Sequence, residues 1–280
     1  MSEPRTSVPA LAALAEVLPD WEAPPQVRAF VTGRRGGVSR GPWGLSGGLA
    51  GGLNLGARCG DDPVDVAANR ARLNACLPAP PLWLDQVHGA TVHVVDAARA
   101  GALRQRGVPG TGLPEPVADA AVTAQPGVVL AVLTADCLPV LLADSRGRAV
   151  AVAHAGWRGL ALGVLERTVE ALRHCAGSDA QLLAWFGPAI GPASFEVGED
   201  VLRAFCDDHP DCAAAFVPGA RDGKWLADLY RLARIRLGGA GVSRVWGGGH
   251  CTLVEHERFF SYRRDQRSGR MASLVWLDPR

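Results

Sequence analysis

Short apolar runs at residues 27–32, 128–133, 138–142 and 149–153, with another at 182–186, predict strands. The pair at 128–133 and 138–142 is almost unbroken, as a buried strand would be, and is interrupted at Asp136 and Cys137. Two shorter strands are expected at 82–87 and 91–95, on either side of His88 and Gly89, and three more at 243–247, 258–262 and 272–277. Helical spacing begins after Asp62, a good N-cap followed by Pro63 at the first helical position, and runs through Val66, Leu73 and Leu77. A second helix over 159–174 places Leu162, Leu165, Val169 and Leu172 on one face, and further helices are expected near 199–206 and 225–237. Residues 1–26 read as a variable, Ala-rich, partly helical lead-in closed by Pro24 and Pro25. Residues 33–60 are a glycine-dense loop and 99–117 a Gly/Pro loop. Helices and strands alternate irregularly, which predicts an α+β fold with mixed β-sheets flanked by helices, built as a single domain over 1–280.

Composition narrows the function. Of 280 residues, 48% are hydrophobic and 20% charged, as in a globular chain that needs no disulfide or metal to fold. The net charge of +1 gives no basic excess for nucleic acid. The most apolar stretch, 128–143, contains Asp136 and Pro139, so no membrane span is expected. Seven cysteines without a Cys-x-x-Cys pair fit reduced thiols, and no signal peptide is apparent, so a cytoplasmic location is expected. Dinucleotide and P-loop glycine motifs are absent, as is the zinc deaminase signature. Gly-x-Ser-x-Gly occurs at 37–41 and 44–48, but without the strand and helix a nucleophile elbow requires.

Three residues remain at strand edges, where a rigid sheet positions side chains that a loop exposes. They are His88, Cys137 in Thr134-Ala135-Asp136-Cys137-Leu138-Pro139, and His154 in Ala153-His154-Ala155-Gly156-Trp157-Arg158. Two imidazoles and a thiolate suit zinc and leave a fourth position open. The same residues also fit a Cys–His nucleophile pair, or an inert thiol beside structural histidines. Arg34, Arg35, Arg158 and Arg263 are candidate anion ligands, since guanidinium binds phosphate and carboxylate in a bidentate manner.

From Val27 onward the chain resembles the bacterial laccase-domain family, also called the polyphenol oxidase or YfiH-like family. The resemblance rests on Arg35-Gly36-Gly37-Val38-Ser39, Leu53-Asn54-Leu55-Gly56, Gly60-Asp61-Asp62-Pro63 and Gln86-Val87-His88-Gly89. It continues through the Cys137 and His154 segments, Gly187-Pro188-Ala189-Ile190-Gly191, Phe195-Glu196-Val197 and Phe260-Ser261-Tyr262-Arg263-Arg264-Asp265. It implies a layered α+β domain in which His88, Cys137 and His154 bind a metal, usually zinc, with copper as the alternative. It also implies a catalytic or phosphate-binding role for Arg34, and Arg263 and Tyr262 join it as candidates for substrate contact. The chain departs from the family in its glycine-rich insertion around 44–52. The implied activity is a purine nucleoside phosphorylase acting on adenosine, inosine and methylthioadenosine, with adenosine deamination as a side activity. Its small-molecule partners would be a purine nucleoside and phosphate, and a monomer is expected. Two rival readings are a cysteine-type amide hydrolase acting on cell-wall precursors and a phenol oxidase. A laccase copper array uses His-x-His pairs, and the seven histidines of this chain contain none.

Overall fold

In the computed structural model, which describes residues 13–104 and 114–279, strand alternation builds a layered sandwich. The strands, in chain order, are β1 (Ala15–Val17), β2 (Val27–Thr32), β3 (Arg35–Ser39), β4 (Val92–Val95), β5 (Ala120–Thr123), β6 (Leu130–Thr134) and β7 (Leu138–Asp144). They continue as β8 (Val150–Ala155), β9 (Leu182–Phe186), β10 (Glu196–Gly198), β11 (Phe216–Pro218), β12 (Lys224–Ala227), β13 (Arg244–Gly247) and β14 (Met271–Leu277). The helices are α1 (Pro63–Asn74), α2 (Ala97–Arg104), α3 (Trp157–Ala161), α4 (Val164–Ala176), α5 (Glu199–Cys206), α6 (Leu229–Gly239) and the short α7 (Tyr262–Asp265).

A four-stranded antiparallel sheet has the order β1-β2-β14-β6. A six-stranded mixed sheet has the order β13-β9-β7-β8-β5-β4, parallel only at its two outer pairs. A small third sheet joins β10, β12 and β11. Period-two alternation sends the two faces of each strand into different cores. Leu138, Val140 and Leu142 of β7 pack with Leu165, Val169 and Leu172 of α4, while Leu141 and Ala143 face Val132 and Val275 of the other sheet. On β14, Val275 and Leu277 join this inter-sheet core, while Leu274 and Trp276 turn outward to Phe30, Leu55 and Leu73. The layers therefore run α1, four-stranded sheet, six-stranded sheet, then α4 and α6, as the α+β prediction requires.

Several local expectations change. The described part of the lead-in forms strand β1, not helix, because it pairs with the edge of β2. The expected strand at 82–87 makes only isolated bridges, Leu82 with Leu130 and Asp85 with Val117. The glycine loop contains β3 and two 3-10 turns, Gly41–Trp43 and Ser46–Gly48. The helix expected over 159–174 is broken into α3 and α4 at Gly163, whose φ of 88° is incompatible with a continuous helix. Residues 258–262 form no strand, and Tyr262 instead opens α7, whose N-cap Ser261 accepts from the Arg264 N–H. The expected loop at 99–117 begins as α2, and part of it, 105–113, lies outside the described residues. Strand β5 was hidden by its alanines, which carry too little apolar bulk to signal a strand. Among the described residues, no helix is long and apolar enough to cross a membrane.

Candidate metal and substrate site

Strand order brings the candidate residues to one end of the six-stranded sheet. Strands β7 and β8 are antiparallel, β8 and β5 are antiparallel, and β5 and β4 are parallel. The starts of β7, β5 and β4 and the end of β8 therefore share one edge. Cys137 immediately precedes β7, His154 is the next-to-last residue of β8, Asp119 immediately precedes β5, and His88 lies on the approach to β4. The chain also crosses from the four-stranded to the six-stranded sheet between Thr134 and Leu138. That crossing forces a turn in which Asp136 adopts φ 91°. His88 is likewise left-handed, at φ 59°. Two non-glycine residues in this region mark strained, over-determined turns.

The ligand atoms of His88, Cys137 and His154 lie within 4.8 Å of one another. The Cys137 Sγ is 3.9 Å from His88 Nε2, near the roughly 3.5 Å spanned by two ligands of a tetrahedral zinc. The imidazole rings of His88 and His154 meet edge to face, with centroids 4.8 Å apart. Among the described residues this is the one group of three metal-type donors close enough to share an ion. The site also contains a cradle: a Cβ added at Gly156 would lie 3.0 Å from Cys137 Sγ, 3.1 Å from His88 Cδ2 and 3.5 Å from His154 Nε2. The donor set and this glycine-lined space fit a zinc ion held by His88, Cys137 and His154.

Asp119, which sequence reasoning missed, organises the group. Its side chain is fully buried. Oδ1 accepts from the His88 N–H (2.9 Å) and from His154 Nδ1 (2.8 Å), and Oδ2 accepts from the N–H groups of Gly89 (2.7 Å) and Val87 (3.2 Å). One carboxylate thus holds the His88 turn and fixes the His154 ring with Nε2 toward the cluster, as a carboxylate behind a metal-binding histidine does. Burial pushes the Asp119 carboxyl up, but its hydrogen bonds to His154 and to the Gly89 backbone bring it below the usual range. Burial also raises the Cys137 thiol, yet the charge and hydrogen bond of His154 outweigh it and bring the thiol down to about 6. Burial lowers the His154 pKa, but the facing Cys137 thiolate and Asp119 raise it to about 9. The two shifts run in the direction that favours a thiolate at Cys137 facing an imidazolium at His154 when no metal is bound.

Asp136 ties this edge to α7. Its Oδ1 accepts from Thr252 Oγ1 (2.6 Å) and its Oδ2 from the Arg263 N–H (2.6 Å). Tyr262 is thereby set on the wall of a cavity of about 500 Å³ that also contains His88, Cys137 and His154. The other predicted residues sit elsewhere. The buried Arg34 donates Nε to the Gly44 carbonyl (2.8 Å) and Nη1 to the His256 carbonyl (3.1 Å), and it packs over Phe260. Arg263 is exposed, donates Nη1 to the Glu196 carbonyl (2.8 Å) and lies over Phe195. Arg158 stacks on Trp157. None of the three arginines is among the residues lining the cavity. The arginines that do line it are Arg58, Arg70 and Arg270. No local motif announces them: Arg58 follows the Leu53-Asn54-Leu55-Gly56 segment, Arg270 adjoins β14, and Arg70 lies within α1.

The profile of a family described as multi-copper polyphenol oxidoreductase laccase matches residues 28–278. A Pseudomonas aeruginosa protein named purine nucleoside phosphorylase is 52% identical over 263 residues, covering 94% of this chain and 98% of the relative. The Escherichia coli purine nucleoside phosphorylase YfiH is 47% identical over 263 residues, covering 93% and 98%. Among solved structures, a Neisseria meningitidis protein aligns with a TM-score of 0.81 at 45% identity, covering 94% of this chain and 99% of that one. YlmD from Geobacillus stearothermophilus aligns with a TM-score of 0.78 at 32% identity, covering 91% and 93%.

Proposed function

The chain belongs to the multi-copper polyphenol oxidoreductase laccase family, and from that premise we propose that it is a zinc-dependent purine nucleoside phosphorylase. The reading draws on the names of its relatives and on one structural observation. A single cavity carries both the His88–Cys137–His154 cluster and three arginines, Arg58, Arg70 and Arg270. Metal-type donors and guanidinium groups in one cavity suit a reaction that brings a nucleoside and an inorganic oxyanion together.

In phosphorolysis a phosphate oxygen bonds to the anomeric carbon of the ribose. The bond from that carbon to the purine nitrogen breaks, and its electron pair leaves with the base. The proton of hydrogen phosphate goes to the base, giving free purine and ribose 1-phosphate. Adenosine and inosine are the proposed nucleosides, with methylthioadenosine accepted as well. In adenosine deamination, the proposed side activity, water replaces the amino group to give inosine and ammonia. Bound zinc would supply Lewis-acid stabilisation of negative charge and activation of water in that second reaction. The chain's own contribution is to hold both histidines in register through Asp119 and to place Tyr262 on the cavity wall. Arg263 follows Tyr262 on α7, and Arg34 backs the same segment through Phe260 and, at 3.9 Å, Asp265.

The test is incubation of the purified, zinc-loaded protein with adenosine, with and without phosphate, resolved by mass spectrometry. Adenine and ribose 1-phosphate that appear only with phosphate support the proposal, and inosine in both tubes supports the deaminase activity. No nucleoside product in either tube overturns it. The thiolate–imidazolium pair of the metal-free site favours a second reading, a cysteine-type amide hydrolase. Amide hydrolysis that survives chelation but stops on thiol alkylation would select it.

A further inference from the structure

The Leu55–Gly56 backbone is clamped between two of the cavity arginines. Arg70 of α1 lies over the Trp83 ring (4.5 Å to the centroid) and donates Nε to the Leu55 carbonyl (3.0 Å). On the other side, the Leu55 N–H donates to the Arg270 carbonyl (3.1 Å), and the Arg270 N–H donates to Asn54 Oδ1 (2.9 Å). The stem of Arg270 lies so close that a Cβ on Gly56 would be 2.7 Å from its Cγ. Arg270 Nη1 is braced by the Ser268 carbonyl (2.8 Å). Both side chains are therefore held by backbone, glycine and aromatic contacts rather than left to solvent.

Arg58 follows two residues after Gly56. It pairs with Asp85, and its Nη2 lies 3.2 Å from Glu115 Oε2. Arg70 Nη1 lies 3.6 Å from the other oxygen, Glu115 Oε1. A carboxylate thus already occupies the space between two guanidinium groups, one oxygen toward each. Among the described residues that line the cavity, Glu115 is the one carboxylate against three arginines, and Asp85, which pairs with Arg58, is not among them. Guanidinium forks match a tetrahedral oxyanion as well as they match a carboxylate.

We infer that Arg58, Arg70 and Arg270 form an oxyanion subsite for inorganic phosphate, and that Glu115 is the internal counter-ion phosphate displaces from between Arg58 and Arg70. The role of that phosphate as co-substrate rests on the phosphorylase reading, whereas the subsite is measurable without a nucleoside. Glu115 sets the affinity: it keeps the arginines ordered when the cavity is empty and yields to a dianion carrying more charge and more acceptor atoms.

The experiment is calorimetric titration of the zinc-loaded full chain with potassium phosphate alone, with a thermal melt of every variant. Arg58→Ala and Arg270→Ala should each weaken phosphate binding at least tenfold, and Arg58→Lys should retain part of it. Glu115→Gln should tighten binding several-fold. Arg58 is largely exposed, so its variants report on binding even where Arg270→Ala is less stable. Wild-type phosphate affinity in Arg58→Ala and Arg270→Ala, or weaker binding in Glu115→Gln, overturns the inference. So does binding that vanishes in Cys137→Ser but survives both arginine substitutions. Arginine-dependent phosphate binding without nucleoside turnover would sink the phosphorylase reading and leave the subsite standing. Turnover whose KM for phosphate ignores Arg58 and Arg270 would do the reverse.

Discussion

Replacing Asp119 with asparagine changes one atom and removes the charge from a fully buried hub. In the native chain Oδ1 serves His88 N–H and His154 Nδ1, and Oδ2 serves the N–H groups of Val87 and Gly89. Asparagine has one acceptor oxygen, so in either orientation its NH2 group faces at least one backbone donor. Hydrogen bonds to a charged group contribute about 1.5–3 kcal/mol each. Breaking a buried ionic contact by removing one partner costs about 3–5 kcal/mol. Asp119→Asn should therefore destabilise the fold by about 3–5 kcal/mol, lowering Tm by roughly 5–9 °C in a chain of 280 residues. Loss of the carboxylate behind a metal-binding histidine should also weaken zinc affinity by about 10–100-fold. Thermal unfolding measures the first effect, and competition with a chromophoric chelator measures the second. Asp179→Asn is the control, because Asp179 pairs with Arg146 and Arg148 at the surface and should change neither readout. If Asp119→Asn melts with the wild type and binds zinc within twofold of it, Asp119 is not the organising group.

Gly156→Ala should weaken zinc binding by more than tenfold, measured by the same chelator competition, while the protein still folds. The backbone at Gly156 has φ −63°, which alanine tolerates, so the effect comes from the added methyl meeting Cys137 and His88. In the metal-free protein, alkylation of Cys137 followed by peptide mass mapping should rise with pH through a midpoint near 6 instead of 9. The sign follows from the depressed folded pKa. The thiolate's contribution to stability is fully present above the unfolded value near 9 and is lost as pH falls through about 6. The raised His154 pKa acts oppositely, contributing fully below about 6.5 and fading as pH rises through about 9. The rising thiolate contribution and the fading imidazolium contribution offset each other between about 6.5 and 9, so unfolding of the metal-free protein measured from about pH 5 to 10 should show little pH dependence from this pair. Chelation should abolish nucleoside turnover but leave a cooperative melt, because the apolar cores lie between the sheets and under α1, α4 and α6.

Local pattern determined much of this protein. Aliphatic runs marked β6, β7, β8 and β9 because both faces of those strands are buried, and marked β2, where only Arg28 is exposed. Asp62 and Pro63 marked the start of α1, where the Asp62 side chain does accept from the Val64 N–H. His88, Cys137 and His154 were also legible, since each stands where a polar residue interrupts or ends an apolar run. Other features needed the third dimension. Asp119 precedes an alanine-rich strand with little hydrophobic signal, and its partners lie about thirty residues away on either side. Arg58, Arg70 and Arg270 belong to no local motif, and only the return of β14 beside β2 sets Arg270 against Asn54, 216 positions earlier. Arg34 shows the converse, because its motif drew attention while burial committed its guanidinium to backbone carbonyls. A side chain's type is local information. Which charge it faces, and how deeply, depends on strand order, and strand order is decided only when distant segments share one core.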